Sequence, residues 1–435
     1  MASWIPVSPE SDFSLANLPY GVFSTEVSGP RIGVAIGDHV LDLKVLAQDQ
    51  IFSDIEFDFT TLEASNLNAY AALGIHVHRD VRKRLQLLLG KDTQLGDLLR
   101  DNQERRGRAL VPLSSVSMHL PMSIGDYTDF FVGVDHAVNM ANILAPNVPL
   151  KAICPNFYHL PIAYHGRASS VVVSGTSFRR PKGQIPVDGE PSSDSCQKLD
   201  YEVELAAFIG RGNEMGDEID VDRAEDHIFG FVLMNDWSAR DVQFWESAPL
   251  GPFNGKNFCT TISPWIVPLE ALEPFRTVPK APGREVLPYL SQEKTVSAYD
   301  IPIQVSLEAK LRSWFGNIPR GRVQQQECGL VFCTDDRTPH PRWMPPPIWR
   351  SACDGHAFRT TRGELGCFME STLGGTTPYD MESNGPSKKK LSRRYVEDGD
   401  TITFTAQARG RDGLGQVGFG VCKGEVLPVA VAPGV

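Results

Sequence analysis

From about residue 111 to the C-terminus the chain is written in short apolar runs broken by turns, and this succession restricts it to a mainly β architecture. The runs are Ser170–Val173, Glu202–Ile209, Ile228–Met234, Ile262–Val267, Thr401–Thr405 and Val417–Cys422. Turns rather than regular amphipathic helices separate them, which argues against a doubly wound α/β sheet. Nearer the N-terminus, Tyr20–Ser24, Arg31–Ile36 and His39–Leu43 also read as strands, the last two joined by a Gly37-Asp38 turn. Over residues 60–104 the period changes, and Leu62, Tyr70, Val81, Leu85, Leu88 and Leu98 recur at helical spacing among charged residues. The expected class is mainly β or α+β, with one domain over residues 1–118 and a second over 119–435.

Composition narrows the partners. With 41% hydrophobic residues in 435, the chain has ample apolar surface to bury. Its net charge of −11 disfavours nucleic acid, whose phosphates demand concentrated positive charge. The cationic run Lys388-Lys389-Lys390 with Arg393 and Arg394 reads as a solvated loop. No apolar stretch has the length of a membrane helix, and Met1–Val7 lacks the basic and apolar regions of a secretory signal. Eight scattered cysteines without a Cys-x-x-Cys suggest a reducing compartment. A cytoplasmic protein with no nucleic-acid or membrane partner is expected.

One glycine motif can be set aside. Gly413, Gly415 and Gly418 match Gly-x-Gly-x-x-Gly, but a strand-like run follows where a nucleotide site needs a helix. A glycine-rich hairpin is the better reading. There is also no Gly-x-Ser-x-Gly elbow.

The informative signal is acidic. Glu202 and Glu204 stand two residues apart in an apolar run, a spacing that puts both on one face of a strand. Like charges in apolar company cost free energy unless neutralised, and a hard divalent cation is one natural partner. A solvent-facing strand side with basic partners is the other reading. Asp236 and Asp129 are further carboxylates in apolar surroundings that could complete an oxygen cage. His136 lies at a plausible helix start, and Lys256 follows a Gly-Pro turn; each could equally be structural.

Longer motifs carry a resemblance. Ile124–Phe130, Tyr164–Thr176, Leu233–Asp241 and Thr260–Trp265 closely resemble the fumarylacetoacetase family, as do Leu18–Ser24 and Arg31–Asp38. The likeness runs over residues 4–328 and resumes near Gly363. It implies a small SH3-like N-terminal barrel, a larger mixed β-roll catalytic domain and a homodimer. It implies hydrolysis of a carbon–carbon bond in a 1,3-diketo acid: fumarylacetoacetate plus water giving fumarate and acetoacetate, the last step of tyrosine and phenylalanine breakdown.

Carried over by motif, Asp129, Glu202, Glu204 and Asp236 resemble Ca²⁺ ligands, while Asp236, Lys256 and Thr260 resemble positions around Mg²⁺. An ammonium group cannot coordinate a cation, so Lys256 would contribute its carbonyl or act beside the ion. His136 resembles the catalytic base and Glu370 the carboxylate that orients it. Gln243 and Lys256 resemble donors to the developing enolate, and Tyr164 a substrate contact.

The departures cluster at the expected substrate pocket. Phe131 stands where the family has Tyr, Ala145 where it has Arg, Ser247 where it has a second Tyr, and Cys259 where it has Gly. Losing carboxylate-gripping groups while keeping the metal ligands suggests altered specificity. A diverged enzyme acting on another β-dicarbonyl by hydrolysis, decarboxylation or tautomerisation is the competing reading, and a non-catalytic relic is a third. Residues 331–358 depart most, with Pro339, Pro341 and Pro345–Pro347 and no periodicity. This stretch reads as an out-of-frame or mis-spliced translation, with His356 at the position of a substrate-binding Thr.

Overall fold

The computed structural model describes residues 2–279, 286–309, 321–324, 329–334, 366–382, 390–409 and 415–430. Its class is α+β and rich in strands. An N-terminal antiparallel sheet runs in the order Leu110–Pro112, His39–Asp42, Ser28–Ile36, Tyr20–Thr25, Ser117–His119. Gly37, at φ 55°, makes the tight turn between two of these strands. The pairings leave the sheet open at its two outer strands, so backbone hydrogen bonds do not close the small barrel expected from the resemblance.

The helical period is realised in Ile75–Leu89, which buries Val81, Leu85 and Leu88. The same helix buries Arg82, whose guanidinium donates to the carbonyls of Ala16 and Asn17 and so ties down the segment before the first strand. Leu62 and Tyr70 also enter this core, while Leu98 is only partly buried.

The larger part is built on a seven-stranded mixed sheet. Its order is Ala163–His165, Asp126–Phe130, Gly329–Thr334, Val203–Ile209, Ile228–Asp236, Thr260–Ile262, Val171–Val173. Every residue of Val203–Ile209 and of Ile228–Asp236 is buried, as central strands covered on both faces require. A second sheet orders Gly321–Gln324, Ile303–Glu308, Thr401–Ala408, Val417–Leu427 and Ser177–Arg179. Thr401–Ala408 alternates buried and half-buried residues, and packs its inner face with Tyr201, Trp237 and Phe368.

Several sequence readings need correction. The Ile262–Val267 run stops pairing as a strand at Ile262, because Pro264 has no N–H to donate. Ile266 and Val267 instead cross singly to Tyr20 and Phe231. The hairpin Lys182–Val187 with Glu190–Ser195 is too polar to register in an apolar pattern. Its turn, Asp188-Gly189 at φ 50° and 87°, was the available signal. The basic run is not simply solvated: Lys390–Arg393 is a strand, Arg393 pairs with Asp400, and Arg394 donates to the carbonyls of Gly375 and Thr376. Lys388 and Lys389 lie outside the described residues.

The glycine motif does sit at a hairpin between Thr401–Ala408 and Val417–Leu427, with Gly413 outside the described residues. Of the proline-dense stretch, residues 331–334 belong to a central strand pairing with both Asp126–Phe130 and Val203–Ile209. Residues 335–358, His356 among them, lie outside the described residues.

Candidate active site

The strand register brings the acidic residues together. Asp129 stands in Asp126–Phe130, opposite Tyr164 of the neighbouring strand. Glu204 pairs with Met234, and Asp236 ends that strand opposite Thr260. Asp129, Glu204 and Asp236 each present a carboxylate oxygen within 4.8 Å of the others. They are 4%, 4% and 0% exposed.

Their electrostatics fit a site for a divalent cation. Burial, then the Asp236 charge, pushes Asp129 well above the usual carboxylate range; burial, then the Asp129 and Asp236 charges, does so for Glu204. Asp236 is also raised by burial, with Lys256 opposing the shift. Among the described residues, Glu204 Oε2 and Asp236 Oδ1 are buried oxygens with no hydrogen-bond partner. Three clustered oxygen donors, two of them with such an orphaned atom, match the preference of a hard divalent ion. The Tyr164 hydroxyl lies 2.8 Å from Asp129 Oδ2 and 2.7 Å from Asp236 Oδ2, and can donate to one at a time.

Glu202 is placed differently from Glu204. It precedes the strand proper, bridging singly to Cys367, and its side chain meets the cations beside the cage. Oε2 accepts from Lys256 Nζ at 2.5 Å, and Oε1 lies 2.8 Å from Arg240 Nη2. Lys256 Nζ also donates to Asp236 Oδ2. Burial opposes the Lys256 charge, but Asp236 and Glu202 outweigh it and hold the ammonium above its ordinary range. Burial likewise opposes the Glu202 charge, and Lys256 and Arg240 reverse that, holding it well below. Gly255 lets this lysine approach: a Cβ there would sit 2.7 Å from the Gln243 backbone.

His136 lies in the helix Val134–Leu144, and its Nδ1 hydrogen-bonds Glu370 Oε1. Glu370 Oε1 also accepts from the N–H groups of Gly366 and Cys367, at 2.9 and 3.0 Å. Its Oε2 accepts from Asn139 Nδ2 at 2.9 Å. The other imidazole nitrogen, Nε2, lies 3.8 Å from Glu202 Oε1. Burial disfavours a charged imidazole, but Glu370 and then Glu202 more than offset this and raise His136 above its usual value.

The remaining expected residues line the surroundings. Gln243 Oε1 accepts from Arg240 Nη1 at 3.0 Å. Ser247 donates back to the Gln243 carbonyl. Phe131 meets His136 edge-on at 5.4 Å between centroids and packs on Phe157. The Thr260 hydroxyl is 3.0 Å from the Tyr127 hydroxyl. Ala145 closes the C-terminus of the His136 helix, and Cys259 is a buried thiol pushed by burial to about 12.

Arg240, Asp200 and Asn139 escaped the sequence reading. Arg240 is 1% exposed, and a charged residue four positions after Asp236, at the end of an otherwise buried stretch, was its available signal. Asn139, one helical turn after His136, could have been found by its spacing alone.

A carboxylate cage beside a half-buried imidazole held by a buried carboxylate defines the site of an acid–base enzyme. The description "Fumarylacetoacetase N-terminal" matches residues 16–121, and "Fumarylacetoacetate (FAA) hydrolase C-terminal" matches residues 134–316. The chain is 42% identical to the fumarylacetoacetase of Aspergillus fumigatus, with 98% of this chain and 99% of that one aligned. The fumarylacetoacetases of Arabidopsis thaliana and Homo sapiens are 42% and 40% identical, again over 98% of this chain and 99% of theirs. The chain belongs to the fumarylacetoacetase family.

Proposed function

We infer that the chain hydrolyses the carbon–carbon bond of fumarylacetoacetate, releasing fumarate and acetoacetate. The observation that carries this reading is the His136–Glu370 pair standing across Glu202 from the Asp129, Glu204 and Asp236 cage. The named relatives, aligned nearly end to end, support it.

In this reading Glu370 holds the proton of His136 on Nδ1, so that Nε2 is the atom that takes a proton from water. The resulting hydroxide adds to the ketone carbonyl. Expulsion of the acetoacetate carbanion breaks the carbon–carbon bond, and the bond's electron pair leaves with that fragment. Lys256, Arg240 and Gln243 form the polar wall that holds the enolate charge until it is protonated. Asp129, Glu204 and Asp236, with Glu202 beside them, would hold Ca²⁺ or Mg²⁺, and Thr260 stands next to Asp236 in register. When bound, that cation supplies Lewis-acid polarisation of the substrate oxygens. Tyr164, Phe131 and Ser247 would border the substrate.

The domain boundary is proposed near residue 118; the last strand of the N-terminal sheet, Ser117–His119, runs through that position, and the catalytic sheet begins with Asp126. A homodimer acting in tyrosine and phenylalanine catabolism in the cytoplasm completes the proposal. No described helix is long and apolar enough to cross a membrane. Following both products in a quenched reaction tests the chemistry. Equimolar fumarate and acetoacetate are expected, and loss of substrate without carbon–carbon cleavage would overturn the reading.

A further inference from the structure

Asp200 touches neither the cage nor His136, yet it is fully buried and accepts from two separate parts of the site. Its Oδ1 accepts from the Phe368 N–H at 3.0 Å and from its neighbour Tyr201 N–H at 2.9 Å. Its Oδ2 accepts from Arg240 Nε at 2.9 Å and Met369 N–H at 3.2 Å, with Arg240 Nη2 at 2.8 Å. The pairing of Leu199–Asp200 with Ser238–Ala239 sets this carboxylate beside the start of the Arg240 helix.

Each element it holds presents a working group. The Phe368–Ser371 turn carries Glu370, whose placement decides the orientation of His136. Arg240 reaches Glu202 Oε1 and Gln243 Oε1 on the other side. We propose that Asp200 is a positioning residue that couples the two halves of the site, fixing Arg240 against Glu202 and Gln243 while pinning the turn that presents Glu370 to His136. A carboxylate suits this place because every neighbour is an N–H donor, and it offers about four lone-pair sites and no donor of its own. An amide would turn an N–H toward either Arg240 or the turn, leaving buried donors facing each other.

The activity arm of the test rests on the hydrolytic reading above, and the exchange arm on geometry alone. The full-length, cation-loaded chain is compared with D200N, R240K and the double variant. In D200N, kcat for fumarylacetoacetate hydrolysis falls about 10- to 100-fold, as is usual when a supporting partner is lost. In R240K, where Asp200 is intact, amide hydrogen exchange over residues 366–371 speeds up about threefold or more, because Asp200 Oδ2 is shared between Arg240 and the Met369 N–H. The double variant loses less than the product of the two single losses in kcat.

Unchanged exchange over 366–371 in R240K overturns the coupling. So does a folded D200N with the parent kcat. If the parent chain does not cleave fumarylacetoacetate, the hydrolytic reading fails, and exchange in R240K still decides for or against Asp200. R240K also serves if D200N does not fold.

Discussion

Lys256 stands between Glu202 and Asp236, its ammonium 2.5 Å from Glu202 Oε2 and hydrogen-bonded to Asp236 Oδ2. One cation of the chain is therefore already seated at the rim of the carboxylate cage. It pairs with Glu202 and Asp236, two of the acidic groups that the resemblance gives as metal ligands.

This arrangement gives Lys256 two opposed effects. Lys256→Met removes a donor to the enolate, and kcat falls about a hundredfold or more. The same change removes a buried positive charge beside the cage, and Ca²⁺ or Mg²⁺ binds about tenfold more tightly. Steady-state kinetics and calorimetric titration of the cation measure the two effects, and weaker cation binding in the variant would contradict the geometry.

The His136–Glu370 pair fixes the acid limb of the pH profile. A neutral imidazole is needed as base, and its raised value means that activity disappears as pH falls through a point above the ordinary 6.5. Glu370→Gln removes the stabilising charge, so the limb moves to lower pH while kcat drops about a hundredfold. A limb that stays in place would separate Glu370 from the base.

Phe131 occupies the edge of the same imidazole and offers no hydrogen bond. Phe131→Tyr returns a phenol to this wall. KM for fumarylacetoacetate is expected to fall about three- to tenfold with kcat little changed, the worth of one ordinary hydrogen bond. An unchanged or higher KM would show that the wall does not meet the substrate carboxylate.

Far from the site, His78 packs among Tyr70 and Phe229 and hydrogen-bonds the Tyr70 carbonyl at 3.0 Å. Burial lowers it to about 4 from 6.5. Because the folded value lies below the unfolded one, the unfolded chain takes up the proton first. Stability is held above about pH 6.5 and lost as pH falls toward 4. His78→Gln should flatten that decline by about 2 kcal/mol between pH 7 and 4.5, read from urea unfolding.

Much of the site was legible because strand periodicity and apolar context are local signals. Glu204, Asp236 and Asp129 were picked out as carboxylates among apolar neighbours, and cross-strand register brings them together. Glu202 was legible as part of the site but not in its partners. A spacing of two puts Glu202 and Glu204 on one face only where a strand includes both, whereas pairing begins at Val203 and frees Glu202 to turn toward Lys256 and Arg240. Asp200 was out of reach for another reason, and so was the partner of Asn139, although its place one turn after His136 was readable. Their roles lie in hydrogen bonds to Phe368, Met369 and Glu370, residues distant in sequence that only the packed sheets bring near. The open N-terminal sheet shows the converse: its strands were readable from apolar runs, but closure depends on pairings between edges that no local pattern encodes.

Cation dependence of carbon–carbon cleavage is the decisive measurement for the Asp129, Glu204 and Asp236 cage. The purified chain is assayed on fumarylacetoacetate with Ca²⁺ or Mg²⁺, after chelation, and as Glu204→Gln. Equimolar fumarate and acetoacetate are expected with the cation, as are loss of turnover on chelation that is restored by adding the ion back, and no such restoration in the variant. Undiminished cleavage in chelator, or a variant as active and as cation-responsive as the parent, would contradict this role of the cage.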